Sequence, residues 1–342
     1  MNRKKLIAFS LSLAMTVVPV TPAAAAGAEQ NSEGLQNAVL DLGFENSLED
    51  SSGKGNNGTL SSGNAEYVDG VVGKALKMNG SSYVNLGTST DLQPENLTLS
   101  FWIRPDTAMT GEELISWNKN EWYTDGWYLS SENDNTPLTL SIGPAKTNGQ
   151  PYRVSVSGKR SDFFPAGEWT HIAVTYDKDS KEICFYRNGV KCSTVTTYGI
   201  SGESTGVLGS DASMEKSVGY NGPKYKGAYL KASLDEYQLY NDVATPEEVI
   251  ALYEESGQTF DRKAVAQADL DKISIPETTQ GNLSLPATGE SGSAISWSSD
   301  NEAVVAADGT VVRPGVGEKD VTVTLTAEAS YLNGEKVTKT IK

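Results

Sequence analysis

Two carboxylates two residues apart on a β-strand leave the same face, and carboxylates gathered on one face can serve glycoside hydrolysis. The chain offers this spacing twice, at Glu132-Asn133-Asp134 and Glu318-Lys319-Asp320. Other hydrolytic chemistry has little to work with. There is one histidine, His171, so no histidine-rich metal cluster can form, and any Ser-His-Asp or Cys-His arrangement would depend on that single ring.

Aromatic side chains on loops offer a different chemistry, because an indole or phenol face stacks on the apolar face of a pyranose while neighbouring amides and charges fix its hydroxyls. Trp117 to Tyr128 holds Trp117, Trp122, Tyr123, Trp127 and Tyr128, and its centre, Asn120 to Gly126, is polar and turn-like. Trp122 and Tyr123 are therefore expected on a loop. A second aromatic and polar loop, Gly219 to Gly227, contains Tyr220 and Tyr225. With Trp117, Tyr152 and Arg153 these residues are expected to form one carbohydrate-binding rim, the alternative being satellite packing under long loops.

The partners that remain are narrowed by charge. With 44 Asp+Glu against 28 Lys+Arg the formal net charge is -16, which disfavours nucleic acid and anionic membrane surfaces. Glycine at 33 residues and tyrosine at 15, with 21% charged residues, read as a turn-rich secreted β protein rather than a disordered one. Residues 1–26 read as an export signal: a basic start through Lys5, an apolar run from Leu6 to Val20, and small residues to Ala26. That run is shorter than the about 20 residues that span a bilayer, so membrane insertion is not expected and the product is expected outside the cell or at its surface.

Export makes a disulfide between Cys184 and Cys192 an expectation. They flank Arg187-Asn188-Gly189-Val190, a hairpin signal. A three-residue loop centred on Asn188 would pair the cysteines directly, whereas a two-residue Asn-Gly loop would set them on opposite faces.

The elements that must position these residues are short strands. From Ala38 to about Gly257, β-branched and aromatic runs such as Leu97 to Ile103, Thr170 to Tyr176 and Ile183 to Tyr186 alternate cleanly and are broken by Gly, Asn, Asp or Pro. The pattern is that of a sandwich or jelly roll. One helix closes this region, Thr245 to Tyr253, with Thr245 as cap, Pro246 in the first turn, and Val249, Leu252 and Tyr253 as its apolar stripe.

Six blocks carry a family resemblance: Phe44 to Gly58, Gly73 to Leu76 with Asn79-Gly80, Phe101-Trp102-Ile103, Trp169 to Val174, Tyr186 to Gly189, and Leu234 to Asn241. In this order they resemble the laminin-G-like, concanavalin A-like lectin/glucanase jelly rolls of bacterial extracellular proteins. The resemblance implies an all-β jelly roll over residues 38–257, core positions for Trp102, Trp127 and Trp169, and a packed, structural role for His171. Glucanases of this superfold carry Glu-x-Asp-x-x-Glu on one strand; here the last position is Pro137 or Val323, so no catalytic residue is expected in this chain. Relatives also imply a structural calcium ion between the first and last strands, for which the candidates are Glu45, Asp50 and Asp235, with an Asx-turn as the alternative role of Asp50.

Beyond Gly257 a helical connector, Asp261 to Lys272, leads into new strands and turns: Ile295 to Asp300, Asp308 to Pro314, and Val321 to Ala327. Residues 258–342 resemble the atrophied bacterial immunoglobulin-like domain of multidomain glycoside hydrolases, a small β-sandwich in which Trp297 is expected in the core. In relatives of this domain order a catalytic domain acting on arabinan or xylan often follows. The expected function is thus a noncatalytic polysaccharide-targeting jelly roll with a spacer domain, in a longer glycoside hydrolase. The rival reading is an adhesion module that binds protein.

Overall fold

Strand alternation builds two sheets that close over one apolar core. The computed structural model describes residues 35, 37–119, 124–144, 151–192, 195–198, 206, 209, 213–220 and 229–342. The expected export signal, residues 1–26, lies outside them. The strands are β1 (Ala38–Leu42), β2 (Thr59–Leu60), β3 (Glu66–Asp69), β4 (Lys74–Lys77), β5 (Val84–Asn85), β6 (Leu97–Pro105), β7 (Glu113–Lys119), β8 (Gly126–Ser131), β9 (Leu138–Pro144) and β10 (Pro151–Val156). After the short helix α1 (Arg160–Phe163) come β11 (Thr170–Tyr176), β12 (Ile183–Arg187), β13 (Val190–Lys191), β14 (Val195–Tyr198), β15 (Ser217–Val218) and β16 (Ala232–Tyr240). Helices α2 (Pro246–Glu255) and α3 (Arg262–Lys272) precede β17 (Ala294–Ser299), β18 (Leu325–Ser330) and β19 (Val337–Ile341).

The first eight-stranded sheet runs β13-β12-β11-β6-β16-β4-β3, with β1 also paired to β16; the second runs β14-β10-β9-β8-β7-β15-β5-β2. All of these pairings are antiparallel. On β6, Leu97, Leu99, Phe101 and Ile103 enter the core, where they meet Ile115, Trp127, Leu129, Leu140 and Val154 of the facing sheet. Burying such side chains is worth about 1.5–3 kcal/mol each. The Tyr237 hydroxyl crosses this core to Ser116 Oγ at 2.7 Å. Trp127 is a core residue, as expected.

Helix α2 begins with a reciprocal capping box: Thr245 Oγ1 accepts from the Glu248 amide while Glu248 accepts from the Thr245 amide. Asp261 caps α3 by accepting from the Ala264 amide at 2.9 Å. The C-terminal region forms a three-stranded sheet, β17-β18-β19. Trp297, expected in its core, is only half-buried and donates from Nε1 to the Pro286 carbonyl. Among the described residues no helix is long and apolar enough to cross a membrane.

The hairpin register overturns the expected disulfide. Arg187 pairs with Val190 and Tyr186 with Lys191, so the loop is the two-residue Asn188-Gly189, with both residues at positive φ (50° and 79°) as a type I′ turn requires. Phe185 therefore stands opposite Cys192, whose amide donates to its carbonyl at 2.8 Å. Cys192 packs against the sandwich core, whereas Cys184 leaves the other face of the sheet toward Ala244 and Val249. Both thiols are free, and burial pushes that of Cys192 up to about 12. We expect a thiol titration without reductant to find both cysteines on unfolding and to find them slow to react in the native protein; a result of no free thiols would reverse this assignment.

Candidate functional site

The outer face of the first sheet carries an open aromatic pocket of about 240 Å³, lined by Val71, Trp102, Trp169, Asn188, Tyr253 and Gln258. Alternation along β6 explains its floor: the residues between the core positions, Ser100, Trp102 and Arg104, point outward. Trp102 stands between His171 of β11 and Asp235 of β16 in register. Tyr253, in the last turn of α2, stacks on Trp102 at 5.5 Å and 27°. The Trp102 Nε1 donates to Ser256 Oγ at 2.8 Å, anchoring the indole to the end of that helix. Trp169 precedes β11 and is half-exposed, with the Arg104 guanidinium 4.8 Å from its ring centre. Trp102 and Trp169 were expected in the sandwich core; both instead lie on its outside, because they fall in the outward phase of their strand or just before one.

Two amides complete the wall. Asn188 is clamped by His171, whose amide donates to Asn188 Oδ1 at 2.9 Å while the Asn188 amide donates to the His171 carbonyl. Neither the Asn188 Nδ2 nor the Gln258 amide has a partner among the described residues. Val71 is held by Asp235, whose Oδ2 accepts from the Val71 and Val72 amides at 2.8 and 3.0 Å. No lining side chain is charged. Trp102 itself is 4% exposed beneath Tyr253 and forms the floor, so the half-exposed rings of Trp169 and Tyr253, two free amides and a lining without charge are what suit a neutral, hydroxyl-rich ring.

His171 lies beneath this pocket, 1% exposed, with Nε2 hydrogen-bonded to Ser100 Oγ at 2.9 Å and Nδ1 buried without a partner. Burial pushes its pKa down to about 3. The unfolded chain takes up a proton near pH 6.5 and the folded chain does not, so the stability conferred by the neutral ring is lost as pH falls from 6.5 toward 3. By pH 5 this costs about 2 kcal/mol. Urea unfolding at pH 5 and 7.5 is expected to show a smaller drop in His171→Gln than in the parent; an equal drop would contradict a neutral buried ring.

The expected rim is placed differently. Trp117 is 1% exposed, stacked on Tyr128 at 5.4 Å and donating from Nε1 to the Lys119 carbonyl. Tyr220 is 5% exposed and sandwiched between Tyr83 and Tyr229 at 4.9 and 4.3 Å. Neither presents a free ring face. Tyr152 packs against the sandwich core, and Arg153, on the opposite face of β10, pairs with Glu132 at 3.2 Å. Glu132-Asn133-Asp134 is also taken up structurally, since Asp134 accepts from the buried Arg160 at 2.9 Å. Trp122, Tyr123 and Tyr225 lie outside the described residues.

The expected metal trio divides. Asp50 closes its own turn: Oδ1 accepts from the Asp41 and Ser52 amides, and Oδ2 from Ser52 Oγ and the Asn56 amide. Burial alone would raise its pKa, but these hydrogen bonds outweigh it and leave the carboxyl below its ordinary value. Glu45 and Asp235 do converge, on the loop between β3 and β4. A Cβ at Gly70 would overlap the Asp235 carboxylate and one at Gly73 that of Glu45. Burial pushes Asp235 up to about 6 against hydrogen bonds from Val72, Val71 and Glu236, and the Glu45 charge adds to the rise. Among the described residues no three His, Cys, Asp or Glu side chains gather as a metal set, so Asp50 does not join the other two.

Residues 263–342 match the atrophied bacterial Ig domain. Among solved structures, domain 4 of AbnA, a GH43 extracellular arabinanase from Geobacillus stearothermophilus in complex with arabinotriose, is 23% identical with TM-score 0.44, covering 65% of this chain and 100% of that one. The binding domain of Paraclostridial Mosquitocidal Protein 1 is 17% identical with TM-score 0.47, covering 87% and 76%. The binding domain of Botulinum Neurotoxin DC in complex with SialylT is 12% identical with TM-score 0.47, covering 88% and 73%. No curated protein matches the chain. With residues 78–250, half of its length, matching the family model, the chain belongs to the concanavalin A-like lectin/glucanases superfamily.

Proposed function

We propose that this is a secreted, noncatalytic carbohydrate-binding region that takes a neutral sugar ring into the pocket of Trp102, Trp169 and Tyr253. The observation that carries the reading is the composition of that pocket: aromatic faces and unpartnered amides, with no charged group in its lining. At about 240 Å³ it is smaller than the roughly 300–1,000 Å³ typical of drug-sized ligands, so it takes a ring or the end of a chain rather than a long stretch of polymer. In a longer glycoside hydrolase such a region acts by proximity, raising the local concentration of an attached enzyme at its polysaccharide.

We also propose a structural calcium ion at the β3–β4 loop. Glu45 and Asp235 have no basic partner among the described residues, and two carboxylates converging on one loop are donors of the kind that calcium takes. Calcium there would secure the loop that supplies Val71. The test is retention of the chain without residues 1–26 on soluble and insoluble polysaccharides, arabinan and xylan among them, with and without a chelator. Retention on a neutral glycan supports binding, and weaker retention with chelator supports the ion. Failure on every glycan would leave protein adhesion as the better account.

A further inference from the structure

The pocket is built partly by the C-terminal region, which lines it with Gln258 and supports Tyr253 from behind through Phe260. Phe260, 8% exposed, sets its ring edge-on against Tyr253 at 6.2 Å and 83°, and on its other side meets Tyr331, which follows β18, at 5.9 Å. The hairpin turn rests on the same ring: a Cβ at Gly189 would lie 2.8 Å from Phe260. Ile250 of α2, fully buried, shares one apolar cluster with Phe260, with Ala266 and Leu270 of α3, and with Ala327 and Ala329 of β18. Val190 and Tyr253 pack against that cluster. Three of the pocket's residues are thus tied to it, since Asn188 adjoins Gly189, Tyr253 touches Phe260, and Gln258 lies two residues before Phe260.

We propose that the immunoglobulin-like domain is a working part of the sugar site, with Phe260 as its positioning residue. This rests on the carbohydrate reading above. Phe260, backed by Tyr331, fixes the Tyr253 ring on Trp102 and seats the turn that presents Asn188, so that these groups are ordered before the sugar arrives. Binding that must first order its own walls is weaker. A spacer joined by a loose linker would leave the jelly roll's affinity unchanged; this joint makes affinity depend on residues that contact no ligand.

The test titrates the full chain, as parent, Phe260→Ala, Tyr331→Ala and Phe260→Leu, with the glycan that retains the parent. The temperature is one at which melting curves show each variant folded. Phe260→Ala and Tyr331→Ala are expected to bind about 10-fold more weakly, and Phe260→Leu, which refills the gap, to recover most of the loss. If Phe260→Ala does not fold, Phe260→Leu and Tyr331→Leu carry the test, with an expected weakening of about twofold to threefold. Folded variants that bind as the parent does would overturn this inference alone. A parent that binds no glycan would overturn the carbohydrate reading, and this inference with it.

Discussion

Trp169→Ala is expected to lower glycan affinity by about 30-fold or more, equivalent to roughly 2 kcal/mol, with little change in thermal stability. Trp169 is half-exposed and has no hydrogen-bond partner among the described residues, so removing it takes away a stacking face without opening the core. Trp117→Ala is the informative contrast. Its indole is 1% exposed and bonded to the Lys119 carbonyl, so truncation leaves a cavity and costs about 3–5 kcal/mol of stability. Titration calorimetry and melting curves on both variants should therefore separate: binding falls in the first and stability in the second. The reverse pattern would move the site away from the pocket.

Asp235→Ala is expected to cost about 3 kcal/mol, and hence on the order of 6–12 °C in melting temperature. The side chain is fully buried and accepts from three backbone amides, those of Val71, Val72 and Glu236. Removing it strands these donors, among them that of Val71, which lines the pocket. Asp235→Asn keeps one acceptor but turns an amide group against backbone N–H groups, so it should recover only part of the loss. Added calcium should raise the melting temperature of the parent and leave Asp235→Ala unchanged. An equal rise in both would remove Asp235 from the ion site, and a stability change under about 0.5 kcal/mol would contradict its place in the fold.

Much of the architecture was legible because local rules and tertiary packing agree. Alternation in Leu97 to Ile103 and Thr170 to Tyr176 matches the two central strands of the first sheet. Thr245, Pro246 and Glu248 mark the start of α2 where the capping box forms. Asn188-Gly189 announced a hairpin, but the length of its loop was open, and one residue of register decides whether the cysteines meet. Packing chose the two-residue loop.

The site was harder to read because its parts come together only through sheet order. β6 lies between β11 and β16, strands remote in sequence, and this brings Trp102, His171 and Asp235 into one row. A local signal did exist. In Leu97-Thr98-Leu99-Ser100-Phe101-Trp102-Ile103-Arg104, the tryptophan occupies the phase otherwise held by Thr98, Ser100 and Arg104, an outward aromatic in a polar register. The aromatic cluster from Trp117 to Tyr128 is the louder local signal, but its Trp117, Trp127 and Tyr128 are buried. Tyr253 belongs to the helix stripe of Val249 and Leu252, yet nothing local shows that the stripe ends on Trp102.

Fluorine NMR of the chain with 5-fluorotryptophan, titrated with a glycan that it binds, tests the central claim most directly, since all 6 tryptophans report at once. Single Trp→Phe replacements assign the signals. The resonances of Trp169 and Trp102 should move with ligand and saturate together, while those of Trp117, Trp127 and Trp297 stay in place. Shifts confined to Trp122, with Trp169 and Trp102 unmoved, would contradict the account and put the sugar at the residues that follow β7.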